Sequence, residues 1–240
     1  MPLLSCPEVD LHTHTVASGH AYCTITELSR AAAEKGLKGL GMTDHGPALP
    51  GGPHAYHFAA LRFIPPTLNG VRILRGIEAN ILEGGQIDLE EPIRQRLDLV
   101  MAGFHDGCGF DHRGAKENTR AMISLMESRR VHVITHPGNP IFPVDFVAIT
   151  KAAAETGTAL EINNASFHIS RRGSAPHCEA MAKLCARYDV PVAIGSDAHF
   201  SEGLGAFDHA LQALCDAGIA PKQVVNRTLA STLSFLGLEA

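Results

Sequence analysis

Two periods of apolar residues alternate along the chain. Seven short apolar runs, at residues 9–11, 39–42, 71–77, 97–102, 131–134, 158–162 and 190–194, have the length and residue types of buried strands. Between and after them, apolar positions recur at helical spacing over 57–63, 116–129, 144–156, 176–188, 207–217 and 222–236. A further helix opens at Thr24, where Thr24 and Glu27 have capping-box spacing, and Gly36 ends it. Residues 81–89 alternate around Gly84-Gly85 and predict a small hairpin.

Seven strands alternating with helices predict an α/β fold with a parallel sheet covered by helices. A doubly wound sheet and a barrel both fit this order. No G-x-G-x-x-G fingerprint follows the first strand, which disfavours the nucleotide-binding sheet. No linker, repeat or low-complexity segment divides the chain, and an eighth strand is missing. We therefore expect residues 1–240 to form one domain, a distorted TIM-like (β/α)7 barrel.

Composition narrows the function classes. Hydrophobic residues make up 45% and charged residues 19%, a balance that suits a packed core and excludes a disordered chain. No apolar run reaches the roughly 18 residues of a membrane span, and the first residues lack a signal-peptide core, so a cytoplasmic protein is expected. The net charge of −5 argues against nucleic acid as a partner. Six scattered cysteines form no C-x-x-C pair and are expected as reduced thiols.

Histidine changes the picture. Fourteen occur in 240 residues, and half of them sit where strands end. His12, His14 and, past a short loop, His20 follow the first strand. Asp44-His45 follows the second, Glu78 ends the third, His105 the fourth and His136 the fifth. Asp197 and His199 follow the seventh. In a barrel these ends share one face, and the two-residue spacings His12/His14 and Asp197/His199 keep side chains on one side of the sheet. Seven imidazoles and two carboxylates would then converge, which predicts a polynuclear metal site. Nine donors exceed what one ion takes; three ions sharing one carboxylate use them all, and Glu78 is the natural bridge. Imidazole and carboxylate suit Zn, Fe, Co or Mn. His54, His57, His112, His132, His177 and His209 read as solvated or packed rings, whereas His168 lies in a loop at the same face as the ligands.

The same residues carry a family likeness. The motifs V-D-L-H-T-H-T-V-A-S-G-H-A-Y (9–22), M-T-D-H-G (42–46), G-I-E-A-N (76–80), G-F-H (103–105), I-T-H-P-G-N-P (134–140), E-I-N-N (161–164) and G-S-D-A-H (195–199) run from the first strand to the last. In them the chain resembles the PHP (polymerase and histidinol phosphatase) family, above all its YcdX-like phosphatase branch. The resemblance implies a barrel with a trinuclear zinc centre and phosphatase activity. It implies that His12, His14, Glu78 and Asp197 hold one ion, Glu78, His105 and His136 a second, and His20, His45 and His199 a third. It also implies an oligomer, a trimer. The weakest match is the loop from Asp106 to His112.

Such a centre lowers the pKa of bound water to about 7, supplying hydroxide as nucleophile, and neutralises phosphate charge. Glu78 and Asp197 are the expected catalytic carboxylates. Asp44 is expected to orient His45 or a neighbouring imidazole, or else to cap a loop. Gly138 and Asn139 shape a turn after His136. Arg171 and Arg172 follow the sixth strand, which lacks a ligand, and their guanidinium groups are expected to bind substrate phosphate. The expected activity is hydrolysis of small phosphate monoesters. Rival readings are a phosphodiesterase or 3′–5′ exonuclease, a metal-dependent amidohydrolase, and a non-catalytic metal-binding regulatory module.

Overall fold

A computed structural model describes residues 4–110 and 113–239; His112 lies outside the described residues. The strands are β1 (Val9–Asp10), β2 (Gly39–Met42), β3 (Thr67–Leu68), β4 (Val71–Asn80), β5 (Leu99–Gly103), β6 (Val133–Ile134), β7 (Ala159–Asn163) and β8 (Val192–Gly195). Seven of them pair in parallel in the order β1-β2-β4-β5-β6-β7-β8, and β3 lies antiparallel on the start of β4. Helices pack around the outside, so the fold is the distorted (β/α)7 barrel expected from the alternation.

Period-two alternation divides each strand between two cores. Ile73, Ile77, Val100, Ala102, Leu160, Ile162, Val192 and Ile194 face outward and pack with helix side chains such as Met122, Ile149, Met181 and Leu214. Val9, Leu11, Leu74, Leu99, Met101, Val133, Ala159 and Ala193 fill the lower interior, which Val225, Leu233 and Leu236 close. Two residues further along the same inward faces come Gly103 on β5, Glu161 on β7 and Gly195 on β8; on β4, Gly76 and Glu78 continue from Leu74. The apolar plug thus gives way to polar groups at the C-terminal ends.

The ring closes between β1 and β8 in two different ways. At the C-terminal side the backbone pairs directly: Asp197 N–H donates to His12 O at 2.9 Å, and His14 N–H to Ala198 O at 2.9 Å. At the other side β1 and β8 part, and residues 224–227 fill the gap. Val225 N–H donates to Val192 O at 2.9 Å and Glu8 N–H to Arg227 O at 3.1 Å. The buried Asn226 amide bridges both strands, donating to Val9 O at 2.8 Å and Ile194 O at 2.7 Å while accepting from Ile194 N–H at 3.0 Å.

This corrects the expected helix over 222–236. The chain makes a short 3-10 turn at Pro221–Gln223, bridges to β8 at Val224, turns again over residues 224–227, and restarts as a helix at Leu229–Leu236 behind the Thr228 cap. Asn226 completes the seam from this non-helical turn, and its bonds there override the helical spacing. Removing its amide strands three buried backbone groups, each costing about 1–3 kcal/mol. Asn226→Ala is therefore expected to destabilise the fold by about 3–5 kcal/mol, read as the shift of a denaturant midpoint at unchanged slope.

Two other local differences have plain causes. The β3–β4 hairpin was not expected, although its Asn69-Gly70 turn, with φ of 50° and 80°, is a strong hairpin pair. Residues 81–89 form a compact loop with a 3-10 turn at Glu83–Gly85 and a single antiparallel bridge between Ile81 and Ile87. Among the described residues no two cysteines are joined by a disulfide. Among the described residues no helix is long and apolar enough to cross a membrane.

Candidate metal centre

The strand ends bring all nine expected donors together. The Nε2 atoms of His12 and His14 lie 3.1 Å apart, those of His105 and His136 3.2 Å, and those of His20 and His199 3.0 Å. Two imidazole ligands of a tetrahedral ion, with bonds of about 2.0–2.1 Å, sit roughly 3.3 Å apart, so these pairs have ligand spacing. Glu78 reaches both halves of the bowl. Its Oε1 is 2.7 Å from His136 Nε2 and 3.2 Å from His105 Nε2, and its Oε2 is 2.9 Å from His45 Nδ1 and 3.3 Å from His12 Nε2. Asp197 Oδ1 is 3.2 Å from His14 Nε2 and 3.5 Å from His12 Nε2.

Three overlapping groups have ligand atoms within 4.8 Å of one another: His12, His14 and Glu78; His45, Glu78 and His105; His14, His45 and His199. The grouping differs from the partition implied by the family: His14 and His45 each stand in two groups, and His20, His136 and Asp197 stand in none. His45 Nδ1, Glu78 Oε2 and Asp197 Oδ1 are buried without a hydrogen-bond partner. His45 Nδ1 and Glu78 Oε2 are close in distance yet make no hydrogen bond, as expected for two ligand atoms aimed at a common point. Buried polar atoms are otherwise almost always paired, so the donor set fits a bound cation.

Partners outside the bowl fix which ring nitrogen faces inward. Asp44 can only accept, so Ser18 Oγ–H donates to Asp44 Oδ1 at 2.7 Å; His14 Nδ1–H then donates to Ser18 Oγ at 3.0 Å and leaves Nε2 as a lone pair. Thr15 N–H at 2.7 Å and His57 Nε2 at 3.2 Å complete the shell around Asp44. Asp44 therefore orients His14, through Ser18, and His57 is its supporting partner rather than a solvated ring. His12 Nδ1–H donates to Glu161 Oε1 at 2.7 Å. His105 Nδ1–H donates to Asn80 Oδ1 at 2.7 Å, and Asp88 accepts from the Asn80 amide, holding it in that orientation. His199 Nδ1–H donates to Asp197 O at 2.9 Å. Four imidazoles thus each use one nitrogen outside the bowl and present the other inside, as metal-ligating histidines do.

Charge is arranged to match. Burial opposes ionisation of Glu78, but His12, His105, His45 and His136 outweigh it and hold the carboxyl well below its usual range. Burial likewise opposes Asp197, and His12 and Arg171 outweigh it. Burial, reinforced by His45, pushes His14 well down, and burial with Arg171 beside it pushes His136 down to about 4. Ionised carboxylates and the neutral His14 and His136 are in their ligand forms, whereas burial of His12 is outweighed by Glu161, Glu78 and Asp197, which push it well up, so His12 would give up a proton to a bound ion.

Close packing sets the positions. His136 and Asp197 adopt left-handed backbone with φ of 32° and 59°, a conformation uncommon outside glycine and concentrated at functional sites. A Cβ on Gly195 would lie 2.1 Å from Glu161 Oε1 and 2.7 Å from His12 Cβ, so only glycine lets that imidazole–carboxylate pair pass β8.

Glu161 and Asn163 stand in the E-I-N-N motif but were assigned no role from the sequence. Glu161 also accepts from His136 N–H at 2.8 Å, and Asn163 donates to both Glu161 and Asp197 at 3.2 Å. Their alternation with the buried Ala159 on β7 is the signal that places them inward. The two arginines separate. Arg171, with φ of 50°, pairs with Asp197 Oδ2 at 2.8 Å and lines the cavity of about 720 Å³ above the bowl. Arg172 is exposed and lines only a smaller cavity of about 330 Å³ formed by residues 166–173 and Ala175. Of the remaining histidines, His54 caps a helix, His132 accepts from Val100 N–H, and His177 donates to Gly138 O. His168 lines the main cavity, and its ring packs 5.0 Å from that of His209.

Comparison with known proteins agrees with this geometry. The sequence profile of the PHP domain matches residues 10–165. A probable phosphatase of Syntrophotalea carbinolica is 56% identical over 231 residues, covering 96% of each chain. A probable phosphatase of Shewanella amazonensis is 48% identical over 230 residues, 95% of this chain and 91% of that one. In structure, the histidinol phosphate phosphatase of Lactococcus lactis, solved with zinc, L-histidinol and phosphate, superposes with a TM-score of 0.62 at 17% identity, over 88% of this chain and 94% of that one. At that identity the likeness speaks for the barrel alone. With its profile matched over more than half its length and its relatives along nearly all of it, the chain belongs to the PHP-domain family.

Proposed function

We propose that this chain is a metal-dependent phosphatase that hydrolyses small phosphate monoesters at a three-ion centre. The observation that carries the reading is the set of inward-facing lone pairs: four imidazoles locked by outer hydrogen bonds around the buried, ionised Glu78 and Asp197. Phosphatases among the near relatives support the choice of substrate. Zinc is the proposed ion, with Mn, Fe or Co accepted by the same donors.

His12, His14, Glu78 and Asp197 would hold one ion, Glu78, His105 and His136 a second, and His20, His45 and His199 a third, with His14 and His45 near enough to neighbouring groups to stiffen the cluster. Bound there, the ions would neutralise phosphate charge and lower the pKa of a coordinated water. The chain's own residues do the rest. Glu161, Ser18 and Asn80 keep the rings from turning. Arg171 stands beside Asp197 at the cavity floor, where a guanidinium matches phosphate oxygens.

Elemental analysis of chelator-free protein is expected to give about three ions per chain, and the same preparation is expected to turn over monoesters and not diesters. One ion or none after reconstitution overturns the three-ion reading, turnover of diesters favours the exonuclease reading, and no turnover in any metal form favours the binding module. Arg171→Ala is expected to raise KM for a monoester about tenfold, ~1.4 kcal/mol, with metal content unchanged. The exposed Arg172→Ala is expected to stay near the parent value. Steady-state kinetics on the two variants checks this, and equal behaviour leaves the phosphate to the ions alone.

A further inference from the structure

Exposed apolar side chains are not scattered evenly over the molecule. Eight large ones are exposed among the described residues, and three of these, Ile141, Ile169 and Phe200, ring the mouth of the same cavity, with exposures of 59%, 78% and 50%. Phe142 and Leu49 line the same cavity, as do His105 and His199 of the bowl. Single surface apolar residues need no explanation, but a cluster rimming a cleft marks a binding surface.

The charged groups of that cavity are few. Among the described residues Arg171 is the one lysine or arginine lining it, and Asp197 already engages it. Asp106 and Glu202 are exposed on the rim and would repel a second phosphate. A polyphosphate or a nucleic acid backbone would find no further cation here. The volume of about 720 Å³ is far more than one phosphate fills, and it falls in the range that takes a whole small-molecule ligand.

We infer that this cavity selects phosphate monoesters of uncharged, apolar, ring-bearing alcohols, with Ile141, Phe142, Ile169 and Phe200 holding the leaving group against the metal bowl. The inference rests on the phosphatase reading of the same site. The P–O bond to the alcohol breaks and a bond from a water oxygen replaces it. One water proton ends on the departing alcohol and the other on phosphate or solvent. Burial of the ring is realised in the bound ester, so it acts first on KM.

The test compares 3-phenylpropyl phosphate with glycerol 3-phosphate, since the former has the less acidic alcohol and gains nothing from intrinsic reactivity. The metal-loaded protein is expected to show at least about tenfold higher kcat/KM for the phenylpropyl ester, mostly through KM. Ile141→Ser and Ile169→Ser alter exposed side chains and are expected to cut that ratio at least about threefold each, with unchanged melting temperature. Calorimetry supplies a readout without turnover: 3-phenylpropylphosphonate is expected to bind at least about tenfold tighter than methylphosphonate, with a negative heat-capacity change. Equal kcat/KM and equal phosphonate affinities overturn the inference and leave the phosphatase reading standing. A preference for phosphoethanolamine over both esters overturns it in favour of an amine recognised by Asp106 and Glu202. No turnover of any ester overturns both readings together.

Discussion

Glu78→Gln is expected to lower kcat/KM by roughly 10³-fold or more, equivalent to about 4 kcal/mol, and to reduce metal occupancy in two groups at once. Each carboxylate oxygen of Glu78 serves a different part of the bowl: Oε1 faces His105 and His136, Oε2 faces His45 and His12. Glutamine keeps the shape but loses the charge, and its amide N–H would point a donor where a lone pair is needed. Loss of an outer hydrogen bond to a metal-ligating histidine already costs about 10–100-fold, so loss of a shared ligand costs more. Elemental analysis and steady-state kinetics on one preparation check this. Full occupancy with near-parent turnover would show that Glu78 does not bridge.

Complete chelation is expected to lower the melting temperature by about 10 °C. The donors come from six of the seven parallel strands' ends and converge only in the folded chain, so bound ions stabilise that state selectively. An ion at about 1,000 times its dissociation constant adds ~4 kcal/mol, and one kcal/mol shifts the melting temperature of a protein this size by about 2–4 °C. Calorimetry before chelation, after it, and after return of zinc gives the shift and its reversal. An unchanged melting temperature in protein verified free of metal would mean that the outer hydrogen bonds alone hold the bowl.

The barrel and the convergence of the nine donors were legible because both arise from local pattern. His12 and His14, and Asp197 and His199, carry two-residue spacing at the ends of apolar runs, and the strand–helix alternation fixes which face those ends share. Glu78 was read as a strand terminus, yet β4 continues to Asn80, so its carboxylate projects from within a paired strand. Contacts that depend on distant loops were not legible. Asn80 is held by Asp88 from the loop that follows it, and Ser18 by Asp44 from the next strand end; neither pairing has a sequence period. Asn226 fell inside an apolar helical spacing, and only its three bonds across the seam explain why the chain leaves the helix there. Glu161 had a readable signal, an acid alternating inward with Ala159, but its strand end was taken as free for substrate.

The seam between β1 and β8 also sets an order of events in the life of the chain. His12 and His14 emerge from the ribosome well before Asp197, His199 and Asn226. The bonds that join the two edges, such as those from Asn226 to Val9 and from Gly205 to Asp10, span 217 and 195 residues. Contacts of such separation form last, after the loop entropy between them has been overcome. A nascent chain can therefore carry most of the barrel as an open sheet with its donors splayed. Metal loading then belongs to a chain already made past Asn226, and the ions serve as a clasp fastened across the last edges to meet.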